Sequence, residues 1–105
     1  MKLKFFILLV ISALVIPAHA FAAKITVKGS DTMVILAQRW AEEYMKAKSD
    51  ARIQVTGGGS GTGIAALING TTDIANASRE IKPGEITQAQ NETGKIPFHF
   101  KVAMD

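Results

Sequence analysis

An α/β fold with a doubly wound, mainly parallel sheet is the class that this sequence predicts, on three observations. Short runs with period-two alternation and longer runs with helical spacing follow one another along the chain. The connections between them are short, as in stacked β-α units. Hydroxyl-rich turns stand where the first three strand-like runs end.

The elements read in order as follows. "KITVK" (24–28) alternates Ile25 and Val27 with polar neighbours and reads as a short strand. After "GSDT", apolar residues fall at Met33, Leu36, Ala37, Trp40, Ala41, Tyr44 and Met45, the i, i+3, i+4 spacing of an amphipathic helix that runs to Lys48. Ser30 or Asp31 is the expected N-cap, and Lys46 and Lys48 suit the negative end of the helix dipole. Trp40 and Tyr44 share the apolar face and are expected in the core. "ARIQVTG" (51–57) is the second strand, with Ile53 and Val55 on one face. "SGTGIAALING" reads as a helix from near Ser60 to Asn69-Gly70, a C-terminal stop signal. "TDIANAS" (72–78) is a third, short strand. "KPGEITQAQNETG" is a helix with Pro83 in its first turn and Gly94 at its end. "IPFHFKVAM" (96–104) is a fourth strand candidate, which makes the order β-α-β-α-β-α-β.

Residues 1–22 stand apart. Lys2 and Lys4 precede an apolar run from Phe5 to Ile16, then Pro17 and small residues, the plan of a secretory signal peptide cleaved after Ala20 or, preferably, Ala22. The run of 12 is shorter than the roughly 20 residues of a spanning helix. No cysteine follows it to carry a lipid anchor. The expectation is a periplasmic or secreted chain. Without Lys2 and Lys4, ten basic residues face nine acidic ones, a net charge of +1. That balance points to no nucleic-acid partner and no polybasic membrane contact. Zero cysteines mean that an exported fold must rest on its core alone. Residues 23–105 number 83, small for an independent domain, and the apolar run at the end suggests a truncated chain.

The stretch "GGGSGTG" (57–63) is the chemical signal. A P-loop needs a lysine, yet no lysine or arginine lies between Arg52 and Arg79. The G-x-G-x-x-G fingerprint ends on Thr62, Ile64 or Ala66 in the three frames, and a G-x-S-x-G elbow around Ser60 meets Thr62 where glycine belongs. Two readings remain. In one, Ser60 merely caps a helix after a tight turn. In the other, the helix N-terminus offers unpaired N–H groups to an anion, with Ser60 and Thr62 adding donors. Ligands of open α/β sheets sit beyond the carboxyl ends of the strands. "GSDT", "GGGSGTG" and "ASRE" all fall there, so Ser30, Thr32, Ser60, Thr62 and Ser78 are site candidates, with Arg79 supplying charge. The set suits a small tetrahedral oxyanion. It calls for no cofactor and no metal.

Asp31 has two readings, a helix cap or a carboxylate that accepts a proton still carried by the anion. Asp73, at a strand start, and His99, between Phe98 and Phe100, read as structural. A secreted hydrolase built on Ser60 would have only His99 as a base, and the chain is read as non-enzymatic.

The ordered motifs "ITVKGSDTM", "LAQRWAEEY" and "IQVTGGGSGTGIAALINGTTDIANASREIKPGE" resemble the start of the PstS-type periplasmic phosphate-binding proteins of ABC transporters. The resemblance runs from about Lys24 to Asp105. It implies a two-lobe type II periplasmic-binding-protein fold closing on phosphate, of which residues 23–105 would be the first part of lobe one. It further implies an ABC permease as partner and phosphate ligands at Ser30, Asp31, Thr32, Ser60, Gly61, Thr62, Ser78 and Arg79. Well-known members end the third motif with an aspartate that takes the phosphate proton. Arg79 stands there in this chain, which leaves Asp31 as the candidate acceptor. With the second lobe absent, a bound anion would stay exposed to solvent, and the chain alone is expected to bind phosphate poorly. Another oxyanion (sulfate, molybdate or tungstate) and a non-transport interaction role are the alternatives.

Overall fold

A computed structural model describes residues 24–104; the expected signal segment lies outside the described residues. Three strands form one parallel sheet in the order β2-β1-β3: β1 (Lys24–Gly29), β2 (Arg52–Thr56) and β3 (Ile74–Asn76). Ile25 pairs with Ile53 and Val27 with Val55 on one side, while Val27 pairs with Ile74 and Gly29 with Asn76 on the other. Helices α1 (Val34–Ala47), α2 (Ser60–Ile68) and α3 (Pro83–Thr93) alternate with the strands.

The chain steps from β1 out to β2, then reverses past β1 to β3. Parallel crossovers share one hand, so this reversal carries α2 to the face opposite α1. The packing agrees. Helix α1 lies on β2, whereas α2 lies on β1 and β3 and is covered in turn by α3. The doubly wound reading therefore holds for the described residues.

The core is built on α2. Ile64, Ile68 and Ala89 form its buried cluster, with Ala75, Ala77 and Ile81 packed around it. Burying an isoleucine contributes about 1.5–3 kcal/mol, so this short helix is held chiefly by its covering layers. Gly63 permits the close approach. A Cβ there would strike the Lys28 carbonyl and the Gly29 Cα, so the helix backbone rests directly on the end of β1.

Asp73 is structural, as expected. Its Oδ2 accepts from the Thr26 N–H at 2.8 Å and the Thr26 hydroxyl at 3.2 Å, and the buried Thr72 hydroxyl donates to the Thr26 carbonyl at 2.8 Å. These bonds pin the entry of β3 to β1 across 46 and 47 residues of sequence. Pro83 opens α3, and Gly94 closes it in the left-handed region at φ 71°.

Three expectations need correction. Helix α1 begins at Val34 with Met33 at its N-cap and no side-chain cap, because Ser30 and Asp31 bond elsewhere. Trp40 and Tyr44 are 47% and 51% exposed. The face that α1 turns to the sheet is narrower than its apolar stripe and is centred on the buried Ala37 and Ala41. Residues 96–104 form no strand. Among the described residues they pair with no strand, although β3 is an open edge of the sheet, and Pro97 has no N–H to give a ladder. Alternation reports an extended two-sided segment, and does not report whether that segment pairs. Ile96, Phe98, Phe100, Val102 and Met104 are accordingly 65–80% exposed.

Candidate functional site

Because all three strands run parallel, their carboxyl ends open on one edge, and the three turns that follow meet there. Hydrogen bonds join each turn to another. The N–H of buried Ser30 donates to the Asn76 carbonyl at 2.9 Å, linking the first turn to the end of β3. The Gly59 N–H donates to the Gly29 carbonyl at 2.9 Å, linking the second turn to the first. Asp31 Oδ1 accepts from the Gly58 N–H at 2.8 Å, a second tie between them. Ser60 Oγ accepts from the Ser78 N–H at 3.0 Å and lies 3.2 Å from Ser78 Oγ, linking the second turn to the third.

Glycine is required in the second turn. Gly58 and Gly59 have φ of 123° and 106°, a region that residues with a Cβ rarely adopt. Gly59 thereby takes the N-cap position of α2 with no side-chain cap, and Ser60 becomes the first helical residue rather than the cap. Its hydroxyl is free for Ser78. Having accepted the Ser78 N–H, it keeps its own hydrogen to donate.

The first turn of α2 is open. Among the described residues nothing accepts from the N–H groups of Ser60, Gly61 or Thr62; the ladder starts with the Gly63 N–H on the Gly59 carbonyl at 3.1 Å. Three unpaired donors at the positive end of a helix form an anion cradle without a cationic side chain. Gly61 is exposed, and no atom beyond its own helix turn and chain neighbours lies within 4 Å of where a Cβ would stand, so its backbone is accessible.

The remaining candidates divide. Ser30 and Thr32 hydroxyls lie 2.9 Å apart. The Thr62 hydroxyl turns back to the Gly58 carbonyl at 2.9 Å, which leaves its N–H, rather than its side chain, as the available donor. Arg79 forms a two-pronged pair with Glu85, Nη1 to Oε2 at 3.0 Å and Nη2 to Oε1 at 2.8 Å, and also donates to the Glu80 carbonyl at 2.9 Å. Its charge is thus paired on α3. The Arg79 fork, and next the Lys82 N–H, hold the Glu85 carboxyl down at about 2, and the same hydrogen bond raises the Arg79 guanidinium above its usual value.

Glu85 and Gly58 are the participants that sequence reasoning missed. Glu85 carried a signal, since it is the third residue of a helix whose N-cap is Lys82, where a carboxylate reaches back to the cap N–H; that bond is 2.9 Å. Nothing in the sequence marked Gly58 as the partner of Asp31, 27 residues away.

Comparison with known proteins places this geometry in a family. A family model described as a PBP superfamily domain matches residues 17–105. The phosphate-binding protein PstS of Pseudomonas aeruginosa is 33% identical over 88 residues, covering 84% of this chain and 27% of that protein. Among solved structures, a phosphate-binding protein of a phosphate ABC transporter from Streptococcus pneumoniae matches with 36% identity and a TM-score of 0.59, over 64% of this chain and 26% of the other. A possible phosphate-binding protein from Planctomyces limnophilus matches with 27% identity and a TM-score of 0.65, over 70% of this chain and 26% of the other. The chain thus spans about a quarter of the length of the relatives it matches. The strand order, the glycine turn and these matches agree: the chain belongs to the PBP superfamily.

Proposed function

We propose that this chain supplies the first-lobe part of an inorganic-phosphate site in an exported solute-binding protein that serves an ABC importer. The observation that carries the reading is the open first turn of α2, with the Ser60, Gly61 and Thr62 N–H groups unpaired beside the Ser60–Ser78 contact. Ser30, Thr32, Ser60 and Ser78 contribute hydroxyl donors, while the Arg79 charge is paired with Glu85 on α3. Relatives of matching sequence and fold are named as phosphate-binding proteins, which supports phosphate as the anion. The apolar segment between Phe5 and Ile16 supports export, and the importer's permease is the partner that this function requires.

The site is one-sided and open to water, so binding in the millimolar range, about −4 kcal/mol, is expected of the chain by itself. A phosphate titration followed by amide NMR on the full chain tests the reading. The largest shifts should fall on Ser60, Gly61, Thr62 and Ser78, and sulfate should shift them less. Shifts centred instead on Lys24, Lys28 and Arg52, or equalled by chloride, would mean diffuse charge screening and overturn it.

A further inference from the structure

The glycine turn that presents the α2 donors has few restraints of its own. Gly57, Gly58 and Gly59 carry no side chains, and such residues lose the most conformational freedom on ordering. Four hydrogen bonds hold the turn: the Gly59 N–H on the Gly29 carbonyl, the Thr62 hydroxyl on the Gly58 carbonyl, the Gly58 N–H on Asp31 Oδ1, and the Gly63 N–H on the Gly59 carbonyl. The third is the one made by a charged group, and such bonds are about twice as strong as neutral ones.

Asp31 also occupies the space beside Gly57. A Cβ on that glycine would collide with Asp31 Oδ1, so carboxylate and turn fit against each other. The carboxylate does not cap α1, whose N-cap Met33 receives no side-chain bond. Among the described residues its hydrogen-bond partner is Gly58.

We infer that Asp31 is a positioning residue of the anion cradle: through the Gly58 N–H it holds the Gly57–Gly59 turn, and it does not itself touch the anion. This rests on the phosphate reading above and deepens it. A carboxylate next to an anion site is electrostatically unfavourable unless its charge is already engaged, and the Gly58 N–H engages it. The same bond removes Gly58 from the donor set. The anion is left the Ser60, Gly61 and Thr62 N–H groups, whose direction the turn fixes.

Two substitutions separate positioning from direct contact. Asp31→Asn keeps an acceptor oxygen for Gly58 and removes the charge, whereas Asp31→Ala removes both. In ligand-free hydrogen exchange, Asp31→Ala should speed the Gly58 amide by about tenfold or more, since it removes the charged acceptor of that N–H. Asp31→Asn, which leaves a neutral bond about half as strong, should speed it by less, about three- to fivefold. In the phosphate titration, Asp31→Asn should retain both affinity within about threefold and the preference over sulfate, while Asp31→Ala weakens binding about tenfold. A changed phosphate-to-sulfate preference in Asp31→Asn, a loss equal to that of Asp31→Ala, or unaltered Gly58 exchange in Asp31→Ala would each overturn the inference. If Asp31→Ala does not fold, Asp31→Asn alone decides, because direct proton acceptance requires the charge. A wild-type chain whose α2 amides ignore phosphate defeats the phosphate reading, and the exchange measurement then still reports whether Asp31 holds the turn.

Discussion

Helices α1 and α2 each follow a parallel strand through a turn of glycine and hydroxyl residues, yet they meet the rest of the molecule differently. Helix α1 has 14 residues and a clear amphipathic pattern, but its buried residues are Ala37 and Ala41, and Ile35, Leu36, Trp40 and Tyr44 are exposed by 41–72%. Helix α2 has nine residues and buries Gly63, Ile64, Ala66 and Ile68. The cause is the number of covering layers. Sheet and helix α3 enclose α2, whereas α1 rests on β2. Their N-termini are alike in being uncapped: α1 starts on Met33 and α2 on Gly59, and among the described residues nothing accepts from the first three N–H groups of either helix. They differ in the residues before them, since Ser30 and Asp31 are engaged with Thr32, Asn76 and Gly58, whereas α2 is preceded by glycines without side chains. Periodicity thus identifies a helix, but neighbours decide which face is buried.

The strongest way to break this comparison is Ile64→Ala. At 3% exposure in the α2 cluster it should cost about 3 kcal/mol in urea unfolding, and a loss below about 1 kcal/mol would show that α2 is not the core. Gly63→Ala should cost about 2 kcal/mol by forcing a Cβ onto the Lys28 carbonyl, with a matching downfield or upfield shift of the Lys28 and Gly29 signals. Ser60→Ala should cost about 1 kcal/mol by removing the acceptor of the Ser78 N–H, and should reduce the phosphate response at Ser78. Ile35→Ala makes the same chemical change as Ile64→Ala on the exposed side of α1. It should stay within about 0.5 kcal/mol of wild type, so a larger loss would reveal a cover over that helix.

The smallest effect concerns pH. Glu85 is held at about 2 against an ordinary 4.5, so its pairing with Arg79 stabilises the fold above about pH 4.5. That contribution disappears as pH falls from about 4.5 through about 2. Glu85→Gln should therefore flatten the acid limb of a stability-versus-pH curve in that window. An unchanged limb would mean that the Arg79–Glu85 pair does not form in solution.

The alternating elements, the α2 stop at Asn69-Gly70, the α3 start at Pro83 and the three turns were all legible in the residues, because each depends on local backbone preference. So was the structural duty of Asp73, from its place at a strand entry. The segment 96–104 misled because alternation reports exposure on two sides and cannot report whether the segment joins a ladder. Trp40 and Tyr44 misled for a related reason, since an apolar stripe shows what a helix can bury and not what reaches it. The partners of Asp31 and Arg79 were hidden in another way. A carboxylate or guanidinium can satisfy itself at many places, and which place is reached depends on how the turns converge.

By itself, then, the sequence determined the parallel α/β order and the presence of a lysine-free glycine turn before a helix, because period, caps and turn residues act over a few positions. Only the tertiary structure decided that Asp31 bonds Gly58, that Ser60 bonds Ser78, that Arg79 turns to Glu85 and that α2 forms the core. Those outcomes depend on which strand ends lie side by side, and a parallel sheet sets that through contacts between residues far apart along the chain.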